Sequence, residues 1–206
     1  MARYFDVHPD NPQPRAISQV AAIVEKGGLI AYPTDSGYAL GTKLGNADGL
    51  QRIRAIRGLG PNHHFTLVCS EFAQLGQYVQ MDNDVFRAVK AHTPGPYTFI
   101  LKATREAPKA MLHPKKKTVG VRVPRHTTAL ALVRELGPLM SSSLILPDEE
   151  YPMIEGWQVL EELGGSLDAV VDSGDAGHHI TTVVDLSGDE PEVVRVGAGD
   201  PSAFTD

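Results

Sequence analysis

The sequence contains little cysteine and no long apolar run, and each shortage excludes a class of protein. Its 206 residues include one cysteine, Cys69, which excludes a framework of disulfide bonds. Because Cys69 lies in the apolar run 65–69, we expect a packed core residue rather than a nucleophile. No apolar stretch approaches the roughly 20 residues that cross a bilayer, and residues 1–9 lack the apolar segment of a secretory signal. We therefore expect a cytoplasmic protein without a membrane partner.

The sequence also lacks the standard catalytic and phosphate-binding motifs. It contains no Gly-x-x-x-x-Gly-Lys-Ser/Thr loop, no Gly-x-Gly-x-x-Gly fingerprint and no Gly-x-Ser-x-Gly elbow. The adjacent histidines 63–64 and 178–179 would point to opposite faces of a strand, so we predict no metal site. A nucleotide site must then be built from other residues.

Basic charge is scarce in the second part of the chain. Residues 126–206 carry 2 basic and 16 acidic side chains, a net charge of −14, whereas residues 1–125 carry 17 and 9, a net charge of +8. The overall charge is −6. The net positive charge of residues 1–125 favours contact of this part of the chain with a polyanion such as a nucleotide or RNA. Solvated surface charge without a ligand is the alternative.

Hydrophobic periodicity predicts helices and strands in mixed order, in a chain whose 42% hydrophobic and 21% charged residues are typical of one globular domain. Some predicted strands alternate with helices, and others near the C-terminus follow each other directly. This order is typical of an α/β fold with a twisted mixed sheet and helices packed on it. The predicted helices are 13–26, 46–58, 71–79, 82–92, 127–136 and one within 148–165, and the predicted strands include 65–69, 98–103, 118–124, 167–172, 182–186 and 192–196.

Residues 33–37, Pro-Thr-Asp-Ser-Gly, form a polar elbow between two apolar segments. Such an elbow could meet a ligand, and an ordinary turn is the alternative. Two isolated arginines, Arg122 and Arg195, lie on predicted strands, where a guanidinium is costly to desolvate unless it meets a carboxylate or phosphate. An internal salt bridge is the alternative for each of them.

Four motifs in this order resemble the YrdC-like family: residues 32–41, 93–98, 120–124 and 181–186. The likeness is closest to the YciO branch, because residues 8–13, 35–41 and 65–67 match the pattern expected there. The resemblance implies a single YrdC-like domain over residues 1–206, with its core at about 13–198. It also implies a concave basic face on the twisted mixed sheet.

Well-understood members of this family make threonylcarbamoyl-adenylate from threonine, bicarbonate and ATP, to supply a modification of tRNA. The resemblance therefore implies ATP as a substrate and a threonine-like small molecule beside it, leaves a requirement for magnesium open, and gives no reason to expect an organic cofactor. The threonine side would comprise Thr34, Arg122 and Thr181, and the nucleotide side Arg57, Thr98, Ser141, Ser143 and Arg195.

The basic charge of the first part of the chain, together with the basic concave face, predicts RNA, either tRNA or double-stranded RNA, as a partner. Its binding surface would be a basic face that comprises Arg52, Arg54, Lys115, Lys116 and Lys117.

Two motifs depart from the family's synthases. Their Lys-x-Arg pattern is replaced here by Arg57 and Leu59, and their Ser-x-Asn pattern ends here in Ile145; a further basic position corresponds to His63. These changes remove a charge and an amide from the place where triphosphate and metal would be handled. The sequence thus leaves two functions open: an enzyme of threonylcarbamoyl-adenylate chemistry, or a non-catalytic protein that binds double-stranded RNA or tRNA.

Overall fold

Ten strands pair in one sheet in the computed structural model, which describes residues 1–205. In chain order they are β1 (Arg3–Asp6), β2 (Ile30–Thr34), β3 (Gly37–Lys43), β4 (Thr66–Val68), β5 (Tyr97–Lys102), β6 (Thr118–Arg122), β7 (Leu139–Ser143), β8 (Ala169–Asp172), β9 (Thr182–Asp185) and β10 (Glu192–Arg195). Across the sheet the order is β1-β8-β2-β3-β7-β4-β6-β5-β9-β10. Four neighbouring pairs are parallel and five are antiparallel, so the expected α/β fold with a mixed sheet is confirmed.

The helices lie close to their predicted positions, and the first five end within one residue of the predicted limits. For α2, the side chain of Asn46 accepts a hydrogen bond from the Gly49 N–H at 3.1 Å, and Gly58 ends the helix with a φ of 63°. The helices are α1 (Pro14–Glu25), α2 (Ala47–Arg57), α3 (Phe72–Tyr78), α4 (Asn83–Ala91), α5 (Thr127–Leu136) and α6 (Gly156–Leu163), with short 3₁₀ turns at Lys109–Met111 and Pro201–Phe204.

Strand β1 is not among the predicted elements. Its four residues form a strand because they pair in parallel with β8. This pairing leaves Phe5 buried. The sheet therefore begins before residue 13, where the sequence analysis placed the start of the core.

The two faces of the sheet carry different helices, because neighbouring residues on a strand point to opposite sides. Leu67 packs in a core with α2, α3, α4 and α6, whereas Val68 packs in a second core with α1 and α5. Cys69 is fully buried in the first core, as predicted, and burial raises the pKa of its thiol to about 12. The thiol is therefore a packing group.

The face that carries α1 and α5 is covered over part of its width. Both helices pack against strands between β1 and β4 in the sheet order. Beyond them, Thr66, Gly120 and Ile100 are paired across β4, β6 and β5, on the face to which Val68 also points. This row lines an open cavity instead of packing under a helix.

Residues 173–181, the crossing segment, connect β8 to β9, although six strands lie between these two in the sheet. The segment passes the end of β2, where the Gly177 N–H donates to the carbonyl oxygen of Thr34 at 2.8 Å. It is also held by His126, whose Nε2 lies 3.0 Å from a carboxylate oxygen of Asp175. The crossing segment thereby supports the elbow.

Gly177 has no room for a side chain. A Cβ at this position would lie 2.0 Å from the carbonyl oxygen of Asp35, whereas a Cβ at Gly60 would meet no atom within 4 Å. We expect Gly177→Ala to lower the free energy of unfolding by about 1–3 kcal/mol, because the backbone of the elbow must shift. Gly60→Ala, the matched control, should change it by less than about 0.5 kcal/mol. Urea unfolding measures both, and equal stabilities would contradict the close approach.

Candidate functional site

An open cavity of about 270 Å³ lies over the uncovered part of the sheet. It continues into a smaller recess beside the elbow, and Thr66, Thr98, Ser142 and Ser143 line both spaces. Together they approach the size of small-molecule sites, which begin at about 300 Å³. Other side chains of the cavity are Arg57, His63, Ile145, Thr181 and Arg195, and others of the recess are Tyr32, Thr34, Arg122 and Ser141.

Arg122 extends from the end of β6 into the recess and is 6% exposed. Its guanidinium forms an ion pair with Asp35 and donates to the Ser36 hydroxyl at 3.2 Å. Its Nε is buried and has no hydrogen-bond acceptor within residues 1–205. A buried donor without an acceptor destabilises the protein, so this nitrogen is suited to a ligand oxygen.

Arg57, the last residue of α2, reaches the cavity wall. Its Nε donates to the carbonyl oxygen of Ile145 at 3.1 Å, and its Nη1 donates to the Ser142 hydroxyl. His63 completes the group, with its Nε2 at 3.2 Å from Ser142 Oγ and 3.5 Å from Arg57 Nη1. This arrangement places a cation, a hydroxyl and an imidazole at one point of the wall.

Arg195, the last residue of β10, lies on the cavity wall next to Thr181, the last residue of the crossing segment. It donates to the Thr181 carbonyl oxygen at 3.0 Å and to the Thr181 hydroxyl at 2.8 Å. The hydroxyls of Thr181 and Thr98 are 3.0 Å apart. These hydrogen bonds orient the guanidinium without neutralising it.

The cavity has an excess of positive charge. Burial, with repulsion from Arg195, lowers the pKa of Arg57 to about 10, and burial, with repulsion from Arg122, lowers the pKa of Arg195. Among the residues that the structure describes, Arg122 pairs with the carboxylate of Asp35, while Arg57 and Arg195 donate to neutral acceptors. The site therefore favours an anion.

The eight residues proposed for the threonine and nucleotide sides all line the cavity or the recess. Two of their hydroxyls are already engaged in the fold. Thr34 Oγ1 donates to the Gly37 carbonyl oxygen at 2.7 Å, and Ser141 Oγ donates to the Leu40 carbonyl oxygen at 2.7 Å. These two residues therefore shape the recess, and their hydroxyl protons are not available to a ligand.

The two departures from the family's synthases lie in different places. Ile145 lines the cavity, and its backbone oxygen holds Arg57. Leu59 instead lines a separate groove, together with Arg54. Only the change at Ile145 therefore alters the cavity wall.

The residues proposed as one basic face lie on different surfaces. Arg52 pairs with Asp168 at 2.7 Å, whereas Arg54 donates to the Gly60 carbonyl oxygen, because residues two apart on a helix point in nearly opposite directions. Lys116 lies 3.8 Å from a carboxylate oxygen of Asp185. Lys117 lines the groove that contains Arg54, and the backbone N–H of Lys115 donates to Nδ1 of His113 at 3.3 Å.

Sequence reasoning gave no role to Ser142 and named His63 only as a family position. The run of three serines in β7 could have pointed to Ser142, because alternate residues of a strand point to opposite sides and Ser142 must then differ in its partners from Ser141 and Ser143. Their partners, however, come from α2 and from the loop before β4. The contact between Ser142 and His63 therefore became visible only in the fold.

No three histidine, cysteine, aspartate or glutamate side chains of residues 1–205 come together in a way that could hold a metal ion. In the same part of the chain, every helix is too short or too polar to span a bilayer.

Comparison with known proteins finds relatives along nearly the whole chain. A family model described as Sua5_yciO_yrdC, telomere recombination, matches residues 22–197. The chain is 46% identical to YciO of Escherichia coli strain K12, which is described as uncharacterized, over 99% of this chain and 100% of that protein. It is 30% identical to the threonylcarbamoyl-AMP synthase of Halorhodospira halophila, over 79% of this chain and 85% of that protein.

Solved structures agree with these similarities. The crystal structure of E. coli YciO matches with a TM-score of 0.97 at 46% identity, over 100% of both chains. The crystal structure of P. abyssi Sua5 complexed with L-threonine matches with a TM-score of 0.85 at 25% identity, over 94% of this chain and 57% of that chain.

The half-buried position of His63 makes the stability of the protein depend on pH. Burial, reinforced by the charge of Arg57, lowers the pKa of His63 from 6.5 to about 4 in the folded protein. Between these values the unfolded chain binds a proton that the folded protein does not. The free energy of unfolding contributed by this residue is therefore present above about pH 6.5 and is lost as the pH falls toward 4.

We expect His63→Gln to reduce this loss by on the order of 1–2 kcal/mol, a figure that allows for partial solvent screening of the ring. Urea unfolding of both proteins at pH 7.0 and pH 4.5 measures the difference. An equal loss of stability in the two proteins would contradict a depressed pKa at His63.

Proposed function

The chain belongs to the Sua5/YciO/YrdC family, and on that basis we propose that its cavity binds an adenylate-type nucleotide next to a threonine-like amino acid. The chemistry would be that of threonylcarbamoyl-adenylate, after which its Halorhodospira relative is named. One observation carries the proposal: Arg57, Arg122 and Arg195 converge on the cavity and its recess, and Asp35 is the one carboxylate paired with them within residues 1–205.

Phosphate groups suit the two arginines that have no acidic partner among the described residues. Burial disfavours the charged forms of Arg57 and Arg195, as does repulsion of Arg57 by Arg195 and of Arg195 by Arg122, so an anion beside them would be strongly stabilised. Thr98 and Ser143 lie on the same wall and could hydrogen-bond phosphate or ribose oxygens. These four residues support a nucleotide side.

Arg122 suits the carboxylate of an amino acid. Its buried Nε lacks an acceptor in the described part of the chain, and a ligand carboxylate would satisfy it. Thr34 shapes the recess in which this carboxylate would lie. Thr181 contacts both Thr98 and Arg195, and so links the amino-acid side to the nucleotide side.

The chain's contribution to chemistry would be positioning and the stabilisation of charge on the phosphate. The family's asparagine amide is replaced by Ile145 in the cavity wall. We therefore propose that the chain handles a preformed adenylate better than it makes one from ATP.

Neutralising an arginine of the nucleotide side should weaken nucleotide binding. We expect Arg57→Met and Arg195→Met to lower the affinity for AMP by at least about tenfold each, because each removes a charge-assisted hydrogen bond. Arg87→Met is the matched control, since Arg87 is an exposed residue of α4 that pairs with Asp84. Isothermal titration calorimetry measures the affinities, and equal effects in all three variants would contradict the assignment.

Activity is tested with two substrates. The protein is incubated with threonine, bicarbonate and ATP, with and without magnesium, and separately with preformed threonylcarbamoyl-adenylate. Turnover in either assay supports the enzymatic proposal, and turnover in neither, with no binding of AMP, would sink it.

A second candidate function is the binding of double-stranded RNA or tRNA without chemistry. A groove separate from the cavity favours it, because Arg54, Lys109 and Lys117 line the groove and its described lining contains no acidic residue. Arg52 and Lys116 are less suited to RNA, since each already lies close to a carboxylate.

RNA binding in this groove predicts a specific salt dependence. We expect Lys109→Gln and Lys117→Gln each to reduce the slope of log affinity against log salt by about 1, because each removes a phosphate contact. Arg52→Gln serves as the control and should leave the slope unchanged. Affinity for tRNA that does not vary with salt would exclude this function.

A further inference from the structure

A serine hydroxyl lies between a histidine and an arginine on the cavity wall. Ser142 Oγ is 3.2 Å from His63 Nε2 and accepts a hydrogen bond from Arg57 Nη1. Arg57 Nη1 also contacts His63 Nε2, at 3.5 Å. Because arginine can only donate hydrogen bonds, His63 Nε2 is the ring nitrogen without a proton. The Ser142 hydroxyl therefore donates to that nitrogen.

This geometry is that of an activated nucleophile, in which a base takes the proton of a hydroxyl within hydrogen-bond reach. The positive charge of Arg57 favours the alkoxide form of Ser142. Burial lowers the pKa of His63 to about 4, so the ring is neutral at pH 7 and can accept a proton, as a weaker base than an ordinary histidine. The ring packs edge-on against Phe65 at 5.4 Å between centroids, which holds its orientation.

The preceding serine has a different environment. Ser141 Oγ donates its proton to the Leu40 carbonyl oxygen and pairs with the Tyr32 hydroxyl. A carbonyl oxygen is not a base of useful strength, so Ser141 is held as a structural residue. Ser142, in contrast, donates to an imidazole and lines both the cavity and the recess.

We propose that Ser142 is the nucleophile of a hydrolytic activity toward acyl adenylates, with His63 as its general base and Arg57 as the group that stabilises the developing charge. The inference rests on the proposed function, since its substrate is the adenylate bound in the cavity. The activity consumes the kind of adenylate that the family's synthases are named for making.

In the first step, Ser142 Oγ forms a bond to the acyl carbon, and its proton passes to His63 Nε2. The bond between that carbon and the phosphate oxygen breaks, and its electron pair leaves with AMP. His63 then releases its proton to the departing phosphate or to water. The product is an acyl ester of Ser142 and free AMP.

In the second step, water attacks the acyl carbon and gives a proton to His63 Nε2. The bond to Ser142 Oγ breaks, and the serine oxygen regains the proton from His63. The net reaction converts acyl adenylate and water into the free acid and AMP. From a carbamoyl adenylate the acid is a carbamate, which loses carbon dioxide to leave the amino acid.

The probe for the test is threonylcarbamoyl-adenylate, incubated with the full chain in ¹⁸O-labelled water. We expect the wild-type protein to release unlabelled AMP, because the attack occurs at carbon. Ser142→Ala and His63→Gln should lower the rate at saturating probe by about 10²–10⁴-fold. Ser202→Ala and His178→Gln, at exposed positions, are the matched controls and should keep the wild-type rate.

A covalent adduct supplies a second readout that does not depend on how the variants fold. Acid quenching followed by mass spectrometry should find the acyl group on Ser142 of the wild-type protein. Labelled AMP, the absence of an adduct, or a wild-type rate in a folded Ser142→Ala variant would each overturn the inference.

Failure of this inference is distinguishable from failure of the proposed function. A wild-type protein that binds AMP but releases none from the probe overturns the hydrolytic activity and leaves adenylate binding standing. A protein that binds neither AMP nor the probe overturns both.

Discussion

The repulsion among three guanidinium groups is the constraint on which the candidate site depends. Arg122 and Arg195 are the last residues of β6 and β10, and Arg57 is the last residue of α2, where the helix dipole favours a cation. Hydrogen bonds from Arg57 and Arg195 to backbone oxygens hold these side chains without neutralising them. The excess charge is thus fixed before any ligand arrives, which is the arrangement that stabilises an anion most effectively.

The elbow contributes to this site by orientation rather than by direct contact through Thr34. The hydroxyl proton of Thr34 is donated within the elbow, while Asp35 pairs with Arg122 and leaves one nitrogen of that guanidinium without an acceptor in residues 1–205. The crossing segment packs on the elbow through Gly177. Because this contact joins backbone to backbone, the position of Asp35 depends on how the crossing segment spans the sheet.

The departures from the family's synthases acquire different meanings in the fold. Leu59 lies outside the cavity, so the loss of arginine there leaves the wall unchanged, whereas Ile145 places an apolar side chain in the wall and its carbonyl oxygen on Arg57. Beside them, Ser142 and His63 form a polar pair directed at the same space. Both features of the wall support the proposal that the chain handles a preformed adenylate better than it makes one from ATP.

The sequence by itself determined most helices and strands, because apolar periodicity and caps such as Asn46 act between residues close in the chain. Through the resemblance, it also identified eight of the residues that line the cavity and recess. Only the tertiary structure decided that Arg3–Asp6 is a strand and that Ser142 meets His63, 79 residues away. Such contacts depend on strand order and register across the sheet, which no local pattern specifies.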